Sequence, residues 1–69
     1  MNATEVELLV RGVITYTGLP FMVMSVYASP TGWTIVVRAG TGGVVRFNLE
    51  GGRPIAMRAA IQESLEAEM

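Results

Sequence analysis

The sequence predicts an α+β domain: a three-stranded antiparallel sheet with an N-terminal segment and a C-terminal helix packed on one of its faces. Three observations carry this. Two short runs with period-2 alternation, Trp33–Ala39 and Val44–Leu49, are joined by Gly40-Thr41-Gly42-Gly43, the pattern of a hairpin. A continuous apolar run, Phe21–Ala28, precedes them across Ser29-Pro30-Thr31-Gly32, a turn sequence with proline where its fixed φ already fits. The tail from Pro54 to Glu68 instead spaces its apolar residues at helical intervals.

The N-terminal segment, residues 4–17, supports two readings. As a helix, Thr4 is the N-cap and Glu7 completes a capping box. Val6, Leu9, Val10, Val13 and Thr17 then share a face, and Gly18 followed by Pro20 is a stop signal. As a strand, Val6, Leu8, Val10, Ile14 and Tyr16 alternate and the β-branched content fits. Gly12 disfavours both, and the agreement of start and stop signals makes the helix the preferred reading.

Phe21–Ala28 reads FMVMSVYA, apolar at nearly every position, which predicts a strand buried on both faces. In the next strand Trp33, Ile35 and Val37 point one way and Thr34, Val36 and Arg38 the other. Likewise Val45, Phe47 and Leu49 oppose Val44, Arg46 and Asn48. One sheet face therefore packs on the helices through Trp33, Ile35, Val37, Val45, Phe47 and Leu49. Glu50-Gly51-Gly52 ends the last strand, and Pro54 stands at a first-turn helical position. The final helix has an inner stripe of Met57, Ala60, Ile61, Ser64 and Leu65, with Arg58, Gln62, Glu63 and Glu66 outward.

At 69 residues the chain is one domain, 1–69. So short a chain buries only ~60% of its unfolded surface and usually needs a further source of stability. Disulfides and thiolate metal sites are ruled out by the absence of cysteine, and histidine, lysine and aspartate are missing as well. Neither a metal nor another cofactor is expected, since six glutamates would be an unusual donor set on their own. The apolar fraction is 51% and the charged fraction 16%, against a norm of about 25% charged. A small domain with so few charges exposes apolar surface unless it associates, so a homo-oligomer, most simply a dimer, is expected.

The net charge of −1 lacks the basic excess of most nucleic-acid binders. No basic stretch of a secretory signal precedes the first apolar run. Gly12–Val37 is free of charge and long enough to span a bilayer, but Pro20, Pro30, Gly18 and Gly32 divide it into strand–turn–strand. The expectation is a soluble cytoplasmic protein without a membrane anchor.

Catalytic chemistry has little to build on. Ser25, Ser29 and Ser64 have no histidine or lysine to activate them, and the glutamates sit at the chain ends and at Glu50. No catalytic residue is assigned, and an enzyme is not expected. Gly40-Thr41-Gly42-Gly43 lacks the lysine and following helix of a phosphate loop. Gly51-Gly52 with Arg53 before a helix could meet an anion, or could simply be a strand-to-helix turn. Arg38 and Arg46 should project from one outer sheet face. With Arg53 and Arg58 they are the candidate anion or nucleic-acid contacts, although the solvated surface of a sheet needs charges too.

The order helix–β–β–β–helix resembles that of double-stranded RNA-binding domains, in element order only. That family reads phosphates with lysines at the start of its last helix. The matching stretch here, Arg53-Pro54-Ile55-Ala56-Met57-Arg58, has two arginines and no lysine, and the function is not carried over.

The outer sheet face remains the most informative feature. Met22, Met24, Val26, Val36 and Val44 form the candidate self-association surface, with methionine suited to an adaptable contact. A shift of register would turn Phe21, Val23 and Tyr27 outward instead. The reading that follows is a non-catalytic interaction module, homodimeric or an accessory subunit. The alternatives are a nucleic-acid-binding domain using the surface arginines and a small-molecule binder with an apolar pocket between sheet and helices.

Overall fold

The computed structural model describes residues 1–68. The order is α1 (Ala3–Thr17), β1 (Phe21–Ser29), β2 (Gly32–Ala39), β3 (Val44–Glu50) and α2 (Pro54–Ala67). The strands form one antiparallel sheet in the order β1-β2-β3. Both helices lie on the same face of it, α1 against β1 and α2 against β3, and touch each other.

The N-terminal segment is a helix, capped two residues earlier than the Thr4 reading. Its N-cap is Asn2, whose side chain accepts from the Glu5 N–H at 2.9 Å. The Glu5 carboxylate accepts from the Asn2 N–H at 2.9 Å, closing the box. Two overlapping cap motifs compete here, N-x-x-E and T-x-x-E. Asparagine is the better cap, and the earlier frame releases Glu7 to pair with Arg11 one turn on at 3.0 Å. Gly18 closes the helix in the left-handed conformation, φ 70°, and its N–H donates to the Ile14 carbonyl.

Three layers of contact build the core. Val6, Val10 and Val13 of α1 and Met57, Ile61 and Leu65 of α2 meet Ile35, Val37 and Leu49 of the sheet. Trp33, Val45, Phe47, Phe21, Val23 and Val26 pack around this cluster, each partly exposed. Of the expected α2 stripe, Ala60 is exposed and Ser64 half-buried.

The turns fix the register. Pro30 and Thr31 form a two-residue hairpin loop, with Ser29 paired to Gly32. A Cβ on Gly32 would strike the Leu49 carbonyl oxygen and lie 2.7 Å from the Gly51 nitrogen, so glycine is required where this turn meets the end of β3. In the β2–β3 loop the Gly42 N–H donates to the Ala39 carbonyl at 2.8 Å and the Ala39 N–H to the Gly43 carbonyl at 2.7 Å. With Gly42 at φ 98°, this is a type I turn closed by a glycine bulge.

β1 departs from the two-sided burial expected of it. None of its residues is fully buried, because only one layer of helices exists and it covers one face. β1 also carries a bulge. Val23 pairs with Val37 but Ser25 with Val36, which leaves Met24 as a surplus residue. No helix among the described residues is long and apolar enough to cross a membrane.

Candidate interaction surface

Strand alternation places Met22, Ser25, Tyr27, Thr34, Val36, Arg38, Val44, Arg46, Asn48 and Glu50 on the sheet face away from the helices. Among the described residues no element crosses this face. Met22 is 69% and Val44 58% exposed, and Met24 and Tyr27 are about half exposed. Methionine and tyrosine here are held in extended backbone, so their side chains stand off the sheet rather than lying in a core.

Val26 is not among them. It pairs with Ile35 and packs into the core cluster. The bulge is the reason: Met24 and Ser25 together oppose Val36, so the side-chain alternation of β1 changes phase between Val23 and Val26. Tyr27 takes the outward place, which alternation without a bulge would have given to Val26. Val36 faces outward as expected but is only 8% exposed. Met24 and Ser25 flank it on one side and Arg46 on the other.

Thr34 is the buried polar residue of this face. Its hydroxyl donates to the Asn48 side-chain oxygen at 3.2 Å across the β2–β3 ladder, which satisfies the group locally. Arg38 and Arg46 share the face diagonally across β2 and β3. Among the described residues the only ion pair is Arg11 with Glu7, so neither sheet arginine has a carboxylate within reach.

The other two arginines lie elsewhere. Arg53 occupies the N-cap position of α2 and makes no side-chain cap bond. Arg58 lines a cleft of about 350 Å³ between the helices with Gly12, Val13, Tyr16 and Gln62. That cleft is on the helix side of the sheet, so Arg38, Arg46, Arg53 and Arg58 do not make one basic surface. The departure from the RNA-binding pattern is thus spatial as well as chemical.

The apolar pocket expected between sheet and helices is occupied by the core side chains themselves. Another cleft at the rim of the core is bounded by Asn48, Leu49 and Glu50 of β3 and Ala56, Met57 and Ala60 of α2. No three acidic residues gather into a metal-binding group among the described residues. No family model, no curated protein and no solved structure matches the chain.

Proposed function

We propose that the chain is a non-catalytic interaction module that works in association with protein, as a homo-oligomer or as a small accessory subunit. One observation carries the reading. Among the described residues no layer covers one face of the sheet, and Met22, Met24, Tyr27 and Val44 are between 45 and 69% exposed on it. Contiguous apolar surface of this kind marks contact sites in small proteins. Methionine adapts its shape to a partner, and tyrosine contributes area with little loss of conformational entropy. The scarcity of charge, 16% of residues, points the same way.

Size-exclusion chromatography with light scattering tests this at tens of micromolar protein. The expected mass exceeds that of the 7.4 kDa chain. A strict monomer at every concentration overturns the self-associating form of the reading.

A second reading has one observation in its favour. Tyr27 stands on the same face as Arg38 and Arg46, and an exposed aromatic sharing a sheet face with cations is the composition of a single-strand platform. Two phosphate contacts predict a log–log salt slope of about −1.4 for a single strand. Fluorescence anisotropy with a labelled oligonucleotide at low salt decides it, and no binding there removes the reading.

A further inference from the structure

The sheet has two edges, and they differ. β1 is interrupted by its bulge at Met24, and bulges are a common means of keeping an edge from pairing. β3 has no such device. Its seven residues, Val44–Glu50, run without bulge, proline or lysine, and β2 occupies only one side of them.

The direction of the free groups follows from the hairpin. The Ala39 N–H donates to the Gly43 carbonyl, and hydrogen-bonded pairs alternate along an antiparallel ladder. Val37–Val45, Ile35–Phe47 and Trp33–Leu49 are therefore the bonded pairs. Val44, Arg46, Asn48 and Glu50 direct their N–H and C=O groups to the open side.

We propose, building on the self-association reading, that a second copy of this chain docks along β3, antiparallel and centred on Phe47, to make one six-stranded sheet. That register pairs all seven residues. It sets Arg46 opposite Asn48 and Val44 opposite Glu50 on the outer face, and Val45 opposite Leu49 and Phe47 opposite its twin on the inner face. The bonded pairs it requires, Arg46–Asn48 and Val44–Glu50, are those whose backbone groups already point outward. Val45 and Phe47 are only partly buried at present, and the seam would extend the core across the join.

Charge also favours this seam. Along the β3 seam Arg46 of each copy lies diagonally next to both Glu50 and Arg46 of the other, so two opposite-charge contacts outweigh one like-charge contact. Inside one chain Arg46 and Glu50 are four residues apart on a strand, about 13 Å, and cannot meet. Alongside the seam α2 presents the exposed Ala56 and Ala60, small enough to let the two α2 helices lie close.

A charge exchange tests the seam, read by analytical ultracentrifugation across a concentration series, with circular dichroism to confirm that each variant folds. The wild-type chain is expected at twice 7.4 kDa. Arg46→Glu and Glu50→Arg each place like charges across the seam and should weaken association roughly tenfold. The double exchange, Arg46→Glu with Glu50→Arg, should restore it, which no role within a single chain predicts. Dimers that survive both single exchanges but dissociate in Met22→Glu overturn the β3 seam and leave the self-association reading standing. A wild-type monomer throughout overturns both.

Discussion

Ile35 and Val36 are neighbours on β2, and each is buried in a different way. Ile35 has no exposed surface and lies beneath both helices, in contact with a cluster drawn from every layer of the fold. Val36 is 8% exposed and has no layer above it. It is sheltered sideways, by the strands on either side, in a sheet so narrow that its middle strand is screened by its neighbours' side chains. Low exposure thus has two physical meanings here. On the covered face it reports close packing in three dimensions. On the open face it reports lateral shielding by groups that can move.

Substitution separates the two. Ile35→Ala leaves a cavity that helices and sheet cannot collapse into, and should cost about 2–5 kcal/mol. Val36→Ala removes two methyl groups, and the mobile side chains around it close the gap, for a loss of about 1 kcal/mol. Urea denaturation of both variants measures the difference. Equal losses would break the comparison and reveal a partner lying over the open face.

The cap of α1 sharpens the covered side. Asn2→Ala should cost about 1 kcal/mol, a fall of about 4–8 °C in Tm for a domain of this size. Thr4→Ala should leave the melting temperature nearly unchanged, since Thr4 caps nothing; a larger effect there would restore the later frame. The smallest change is expected on the open side. Met22→Ser should alter stability by less than about 0.5 kcal/mol when measured below the concentration of association. A larger loss at that dilution would mean that the methionine packs within its own chain.

Much of this fold was legible in the residues because local signals and pattern agreed. Pro30 and Gly32, the glycines of residues 40–43, and the alternation in β2 and β3 each specify backbone and face together. Pro54 and the Met57–Ile61–Leu65 spacing did the same for α2. Two features were not legible. Asn2 and Thr4 both head a capping motif, and they are separated by small terms, the better capping of asparagine and the ion pair gained by Glu7 with Arg11. The bulge at Met24 leaves no mark in FMVMSVYA, where no glycine or proline announces it. Every residue after it changes face, whereas unbroken alternation points Val26 outward and Tyr27 inward. Continuous apolar character also could not say whether a second layer existed, because outward methionines and buried ones look the same in a sequence. Nor does the sequence separate Arg53 and Arg58 from the sheet arginines, because proximity in three dimensions depends on which side of the sheet α2 packs.

The surplus methionine of β1 has a consequence for the size of any assembly. Protomers with matching edges left and right add to one another without limit and grow as fibres. A protomer whose one flank is crimped and whose other flank is smooth finds its complement in a single twin, and growth stops there. Removing Met24 would straighten the crimped flank, and a closed pair could then become an open chain.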